Sequence, residues 1–221
     1  TNLNSTVNNQ KYTIMSYEII DGMSNTTTYG LPYLDFTVTD TLYPSGLQLL
    51  DIAAIQSIYG ADTTTRLGDT TYGLNQGFGN TPNDPFIYTI WDAGGENDVV
   101  DARGYSNGVI IDLNEGGFSS IGKAVDPDFD PIDGRGQGLA IDNVAIAYGA
   151  VIENAIGTAE NDHLIGNDAD NRLEGRNGDD ILQAGRGVNE YLPGFGVETI
   201  YTSIGTNFFS SSKVSGYDTL I

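Results

Sequence analysis

A nine-residue alternation of polar turns and single apolar positions dominates the second half of the chain. From Gly157 the sequence divides into GTAENDHLI, GNDADNRLE, GRNGDDILQ and AGRGVNEYL, which match the pattern G-G-x-G-x-D-x-U-x with U apolar. In this phase the eighth positions are Ala155, Leu164, Leu173, Leu182, Tyr191, Ile200 and Phe209. Tight glycine turns followed by three-residue strands place those side chains inward. The pattern predicts a parallel β-roll whose stacked units bury one continuous apolar column.

One segment has the period of a helix instead. The stretch SGLQLLDIAAIQSIYG covers residues 45–60. Ser45 and Gln48 have the spacing of a capping box, and Gly60 suits the C-terminal stop. The predicted apolar face carries Leu47, Leu50, Ala54 and Ile58.

The remaining sequence predicts a mainly β fold. Residues 1–44 indicate loops and short strands, and from Ala61 glycine, aspartate and asparagine separate short runs such as FIYTIW, GVIIDL and NVAIAY. Residues 125–138, VDPDFDPIDGRGQG, indicate an inserted surface loop. We therefore expect three parts: residues 1–44, a helix over 45–60, and a β-roll over 61–221 with nonapeptide repeats at about 148–210.

Charge narrows the range of partners. The chain has 30 acidic and 9 basic residues and a net charge of −21, which repels nucleic acid and anionic membranes and attracts multivalent cations. It has no cysteine, so disulfides and thiolate metal sites are excluded. No apolar run reaches the length of a membrane span, and the first residues lack the features of a signal peptide. Calcium, a hard cation that takes oxygen ligands, is the partner we expect.

The sixth position of each unit supplies such oxygens. It is occupied in turn by Glu153, Asp162, Asn171, Asp180, Asn189, Glu198 and Asn207. Two units make one turn of a roll, so Asp162, Asp180 and Glu198 share one edge, whereas three amides follow Glu153 on the other. Because affinity follows ligand charge, we expect strong calcium binding at the carboxylate edge and weak or no binding at the amide edge. The alternative is a glycine- and asparagine-rich solenoid without metal.

Five short stretches in order resemble the serralysin family, zinc proteases of the metzincin group with a calcium-filled C-terminal roll of RTX repeats. They are IMSYE, LLDIAAIQSIYGA, RLGDTTYG, WDAGGEND and VIENAIG. The first resembles the Met-turn of the family. The resemblance implies that Met15 forms a floor beneath a zinc site, that Tyr17 is a zinc ligand and oxyanion contact, and that residues 1–44 are the end of a protease domain.

The catalytic zinc motif itself, H-E-x-x-H-x-x-G-x-x-H, does not occur in these 221 residues. The single histidine, His163, lies inside a repeat, where we expect it to face solvent. The chain should therefore be inactive alone, with Zn²⁺ bound only in a full-length parent whose catalytic segment lies upstream.

The resemblance also implies a first set of calcium ligands ahead of the repeats. These are Arg66, Gly68, Thr70, Asp92, Gly94, Gly95 and Asp98, followed by Glu153, with arginine and glycine contributing carbonyl oxygens. Glu96 is an extra residue relative to the family loop, which leaves open whether Asn97 or Asp98 is the last ligand. Thr158 and Glu160 stand where the family has glycines.

Two functions fit this sequence. The first is the C-terminal part of a secreted bacterial zinc endopeptidase, a monomer that acts on protein substrates, leaves the cell through type I secretion machinery, and folds as its roll takes up calcium outside. The second is a calcium-binding RTX module of an adhesin or surface-layer protein with no enzyme attached. The Met-turn segment favours the first, because a pure binding module has no need of it.

Overall fold

A computed structural model describes residues 24–31, 34–41, 46–123, 139–202, 205–210 and 219–221. Met15, Tyr17 and the predicted loop over 125–138 lie outside these residues. Within them, no helix combines the length and the apolar character needed to cross a bilayer. The structure is mainly β, as predicted, with a single helix in the described part of the chain.

Short strands make up most of the described chain. Its elements are β1 (Ser24–Leu31), β2 (Leu34–Thr41), α1 (Leu49–Tyr59), β3 (Thr71–Gly73), β4 (Tyr88–Ile90), β5 (Val99–Asp101), β6 (Ile110–Asp112), β7 (Phe118–Ser119), β8 (Val144–Ile146), β9 (Asn154–Ile156), β10 (His163–Ile165), β11 (Arg172–Asn177), β12 (Ile181–Gln183), β13 (Val188–Phe195), β14 (Thr199–Tyr201), β15 (Thr206–Phe209) and β16 (Thr219–Leu220).

Two parallel sheets form the roll. One has the order β16-β14-β12-β10-β6 and the other β15-β13-β11-β9-β5-β3, and from β9 to β16 successive strands of the chain alternate between them. In the first sheet His163 pairs with Ile181, and Ile181 pairs with Thr199. Each step is two nonapeptides. The predicted β-roll and its spacing are thereby confirmed.

The predicted apolar column lies between these sheets. Leu164, Leu173, Leu182 and Tyr191 are fully buried, and Ile200 is nearly so. A buried leucine contributes about 2 kcal/mol through loss of apolar surface to water, which a nine-residue unit realises only when its neighbours cover it. Phe209 stacks on Tyr191 at 5.4 Å but is 45% exposed, so its predicted inward position was wrong, because β15 is the edge strand of its sheet.

The first turns of the roll are irregular. In the six-stranded sheet Thr71 pairs with Val99, and Val99 pairs with Asn154, so the intervening connections are far longer than later ones. The two connections together form a separate sheet, β4-β8-β7: β4 comes from the first connection, β7 and β8 come from the second, and β7 is antiparallel to β8. Packing of Phe78, Phe86 and Tyr105 adds an aromatic cluster to the core there.

The helix is confirmed, but its start and its buried face differ from the prediction. It begins at Leu49, because the N-cap is Gln48 and the capping box closes through the Asp51 carboxylate, which accepts the Gln48 N–H at 2.9 Å. Ser45 was the wrong N-cap. Leu49 is the buried helix residue, whereas Ile58 of the predicted face is 70% exposed.

The first 44 residues were expected to hold loops and short strands. In the described part, β1 and β2 are each eight residues long and pair antiparallel as a hairpin, from Ser24 opposite Thr41 to Leu31 opposite Leu34.

Candidate calcium-binding loops

The predicted carboxylate edge exists as a buried column. Asp162, Asp180 and Glu198 are each less than 5% exposed and lie directly above one another in successive turns. Each accepts a backbone N–H from the preceding turn: from Val109 to Asp162 at 2.9 Å, from Asp162 to Asp180 at 2.8 Å and from Asp180 to Glu198 at 2.7 Å. One oxygen of every carboxylate is thus used to join neighbouring turns.

The second oxygen of Asp180 has no donor among the described residues, although the side chain is 1% exposed. Burial raises the pKa of Asp180 to about 8, and the nearby carboxylates of Asp162 and Glu198 add to the shift. An ionised carboxylate in such a place is costly unless a cation compensates it. The position therefore fits a hard metal ion.

Glycine makes room beside this oxygen. A Cβ at Gly175 would collide with the second oxygen of Asp180, and one at Gly157 would collide with the corresponding oxygen of Asp162. Each glycine lies five residues before its carboxylate, at the first position of the nonapeptide. The glycines of the repeat therefore form a cradle around the carboxylate oxygens, besides allowing the turn.

Asp162 differs from Asp180 in its protein partners. The Thr158 N–H donates to Oδ2 of Asp162 at 2.6 Å, and the Thr158 hydroxyl donates to Oδ1 at 3.0 Å. The side chain of Arg176 donates to the Thr158 carbonyl at 3.4 Å. Thr158, noted in the sequence as a departure from glycine, thus supplies donors to a carboxylate that the repeat otherwise leaves partly unpaired.

The amide edge is hydrogen-bonded within itself. The side-chain amide of Asn171 donates to the carbonyl of Glu153 at 3.0 Å, and that of Asn189 donates to the carbonyl of Gly185 at 3.0 Å. The backbone N–H of Asn171 donates to the Asn189 side chain at 3.1 Å. Both amides are buried, and all their polar atoms have partners.

The six-stranded sheet continues this edge back to the first predicted loops. The Thr70 N–H donates to Asp98 Oδ1 at 2.6 Å, and the Asp98 N–H donates to Glu153 Oε2 at 2.8 Å. Burial raises the pKa of Asp98 and of Glu153. The column that carries amides later in the chain therefore begins with two carboxylates.

Asp98 resembles Asp180 in its surroundings. Its Oδ2 is buried without a donor in the described part of the chain, and a Cβ at Gly95 would lie 2.6 Å from both carboxylate oxygens. Asn97 is exposed, and its amide donates to Asp69 at 3.4 Å. Of the two residues that the resemblance left open, Asp98 is the one with a buried carboxylate oxygen beside a glycine, and its role as a ligand stays a prediction.

The other predicted residues of the first loops lie around Asp92. Its carboxylate is 1% exposed and accepts the Gly94 N–H at 3.1 Å. Arg66 has a left-handed φ of 52°. The Gly68 carbonyl accepts the Thr70 hydroxyl at 3.1 Å. The structure thus brings the two loops together as the sequence suggested, and their role in metal binding stays a prediction.

Sequence reasoning missed several polar residues that shape the loops. Asp69 Oδ1 accepts the N–H groups of Glu96 and Asn97, both at 3.2 Å, and so ties the two first loops together. A second ladder runs outside the sixth-position columns. It comprises side-chain oxygens that accept an N–H one turn later: Asn161 from Asp179 at 2.9 Å, Asp170 from Val188 at 2.7 Å and Asp179 from Val197 at 2.9 Å. This ladder could have been predicted from the sequence, because Asn161, Asp170 and Asp179 recur every nine residues at the fifth position of the repeat.

No three histidine, aspartate or glutamate side chains of the described residues converge on one point as a metal-binding group. His163 is partly exposed on β10, and burial lowers its pKa. The atoms that could bind a metal near Asp98 and Asp180 are carboxylate and backbone oxygens of glycine-rich loops. Such oxygen ligands suit a hard cation.

Comparison with known proteins agrees with this architecture. The sequence model of the family described as "Peptidase M10 serralysin C terminal" matches residues 61–194. The chain belongs to this family. The match covers most of the roll, from the residue after Gly60 through the greater part of β13.

Several curated proteins of the serralysin family are similar to this chain in sequence. Metallopeptidase AprA of Pseudomonas marginalis is 44% identical over 133 residues, which is 58% of this chain and 24% of that protein. Serralysin B of Dickeya chrysanthemi is 45% identical over 132 residues, 56% of this chain and 23% of that protein. Serralysin of Proteus mirabilis is 41% identical over 133 residues, 58% of this chain and 24% of that protein. The aligned part thus spans about a quarter of these relatives, and the chain is a serralysin-type C-terminal portion.

Proposed function

We propose that this chain binds calcium through the loops around Asp98 and Asp180, and that calcium binding drives the roll to its stable folded state. One observation carries the proposal: each of these buried carboxylates has an oxygen that no donor of the described residues reaches, in a cradle that glycine keeps open. Calcium bound there would supply the positive charge that the fold lacks and would be held by carboxylates and backbone carbonyls. Glu153, Asp162 and Glu198 complete the expected ligand columns.

Calcium suits these loops better than other common cations. Zinc prefers imidazole and thiolate, but the chain has one histidine and no cysteine. Magnesium requires near-ideal octahedral geometry and gives up its water reluctantly, whereas calcium accepts six to eight oxygens in irregular arrangements. Loops whose oxygens come from both main chain and side chains favour the larger ion.

We further propose that the parent protein is a secreted zinc-dependent endopeptidase of bacteria that cleaves proteins outside the cell. The curated relatives are named as metallopeptidases or serralysins, and the sequence IMSYE, with Met15 and Tyr17, resembles the Met-turn of the family. Zn²⁺ would belong to the segment with the three histidines, and export through type I machinery would precede calcium-driven folding. We propose that the protein is a monomer.

The calcium proposal is tested by melting the 221-residue chain with a chelator and with increasing calcium. At a calcium concentration 100 times Kd, one site adds about 2.7 kcal/mol of stability. Magnesium at the same concentration is the control and should add much less. A melting temperature that neither calcium nor chelator changes would refute the proposal.

The protease proposal requires a different experiment. The coding sequence upstream of Thr1 should encode H-E-x-x-H-x-x-G-x-x-H, and the full-length protein should hydrolyse casein until its zinc is removed. If the upstream sequence has no such motif, the roll belongs to a calcium-binding module of an adhesin or surface-layer protein. The calcium proposal would survive that outcome.

A further inference from the structure

A buried tyrosine connects the two first loops. Tyr72 lies in β3, directly after the loop that contains Arg66, and is 1% exposed. Its hydroxyl donates to Oδ2 of Asp92 at 2.6 Å, and Asp92 is equally buried. A buried tyrosine needs a partner for its hydroxyl. A backbone carbonyl is sufficient for this, as Tyr105 shows by donating to the Phe78 carbonyl.

The side chain of Arg66 contacts the same region, with its guanidinium over the Tyr72 ring. Its Nη1 donates to the carbonyl of Trp91, the residue before Asp92, at 2.7 Å. Its Nη2 donates to the Tyr88 hydroxyl at 3.2 Å, and the guanidinium carbon lies 5.4 Å from the centre of the Tyr72 ring. The sequence had assigned Arg66 only a carbonyl ligand. Its side chain adds a direct connection between the two loops.

These contacts hold Asp92 in a single orientation without blocking it. The Tyr72 hydroxyl engages one carboxylate oxygen and the Gly94 N–H engages the other. Each carboxylate oxygen has two lone-pair sites, so both oxygens can still accept a cation. A carboxylate held in this way loses less conformational freedom when a metal binds.

We propose that Tyr72 and Arg66 are positioning residues for calcium: they keep the loop of Asp92 in its metal-binding arrangement before the ion arrives. The inference rests on the proposed calcium binding and adds two residues that would not touch the ion through their side chains. Hydrogen-bond partners of metal ligands typically contribute 10- to 100-fold to metal affinity. We expect about a tenfold loss when the Tyr72 hydroxyl is removed.

The test compares Tyr72→Phe with Tyr105→Phe in the 221-residue chain. Each change removes one buried hydroxyl and keeps the ring, but only the first hydroxyl contacts Asp92. Calcium affinity is measured by competition with a chromophoric chelator, and stability is measured by urea unfolding in chelator. Both variants should lose some stability. Only Tyr72→Phe should lose about tenfold in affinity at the site that includes Asp92.

Two further variants identify the site and protect the test against misfolding. In an Asp92→Asn background the effect of Tyr72→Phe on affinity should disappear, because the carboxylate it positions is gone. Arg66→Lys keeps the positive charge but loses the paired donors, and it should also weaken calcium binding. If Tyr72→Phe fails to fold, Arg66→Lys tests the positioning role instead: weaker calcium binding supports that role, and unchanged binding overturns it.

The outcomes separate this inference from the proposed function. Wild-type calcium binding with unchanged affinity in Tyr72→Phe overturns the positioning role and leaves the calcium proposal standing. Equal affinity losses in Tyr72→Phe and Tyr105→Phe overturn it too, since they would reflect a general loosening of the core. Absence of calcium binding by the wild-type chain refutes the proposed function itself.

Discussion

Replacing Asp180 by asparagine should stabilise the fold in chelator and should remove most of the stabilisation that calcium adds at this site. Without calcium, the fold buries a carboxylate whose pKa is about 8 against an ordinary 3.8. A tenfold change in an equilibrium constant corresponds to about 1.4 kcal/mol, so, allowing for screening by solvent, ionising Asp180 near pH 8 costs the folded state on the order of a few kcal/mol. Asparagine carries no charge and removes this cost.

The amide edge shows how an amide at this position can be satisfied. The side-chain amide of Asn189 donates to the carbonyl of Gly185, four residues earlier, at 3.0 Å. Arg176 occupies the corresponding position before Asp180. An asparagine at 180 is expected to donate to that carbonyl in the same way, so the variant should gain at least about 1 kcal/mol in chelator at pH 8.

Calcium should offset this gain. The wild-type site contributes about 2.7 kcal/mol at 100 times its Kd, and a hundredfold weaker site contributes only about 0.4 kcal/mol at the same concentration. Asp180→Asn should therefore lose about 2 kcal/mol of the calcium-dependent part of its stability. Urea unfolding at pH 8, in chelator and in millimolar calcium, measures both quantities.

A variant that is destabilised equally in both buffers would refute this reasoning. The amide edge provides the matched control. Asp180→Ala should cost more calcium affinity than Asn189→Ala, since Asn189 already has protein partners for its side chain. Equal losses from the two alanine variants would contradict the assignment of the strong sites to the carboxylate edge.

Three further outcomes are expected. In chelator, the free energy of unfolding measured with urea should fall as pH rises from about 4 to about 8. The reason is that Asp98 and Asp180 have raised pKa values, so the folded state keeps their protons to higher pH than the unfolded state. A flat or rising profile would contradict this. Gly175→Ala should cost about 1–3 kcal/mol, since its Cβ would displace the Asp180 carboxylate, whereas Gly68→Ala, with open space around it, should change unfolding free energy by less than about 1 kcal/mol. Leu173→Ala should cost about 2–5 kcal/mol in the same assay, while Ile181→Ala, 37% exposed, should cost clearly less.

The regular part of the roll was predictable because its physics is local. A glycine turn, a three-residue strand and one inward apolar side chain fix the shape of each unit, and stacking follows from the need to bury Leu164, Leu173 and Leu182. The sequence period of nine therefore translated directly into the strand pairing. The same period also located the sixth-position columns.

The first turns were less predictable because their contacts span long separations. The bond from the Asp98 N–H to Glu153 joins residues 55 positions apart, and no periodic pattern encodes it. The hydrogen bond from Tyr72 to Asp92 also joins two loops that no repeat relates. The N-cap is Gln48 because the Asp51 side chain, in the first turn of the helix, completes the capping box. Serine is the commoner N-cap residue type, which is why the sequence favoured Ser45.

Asp162 and Asp180 show why a motif alone does not assign a metal site. Both occupy the sixth position of a repeat, both are buried, and both accept an N–H from the preceding turn. The difference lies at the second position of the unit, where Thr158 donates twice to Asp162, while one oxygen of Asp180 has no donor within the part of the chain that the structure describes. A cation gains most where the protein has left the carboxylate unpaired, because there it replaces no existing hydrogen bond. Among the turns of this edge, the loop of Asp180 should therefore depend on calcium more strongly than the loop of Asp162.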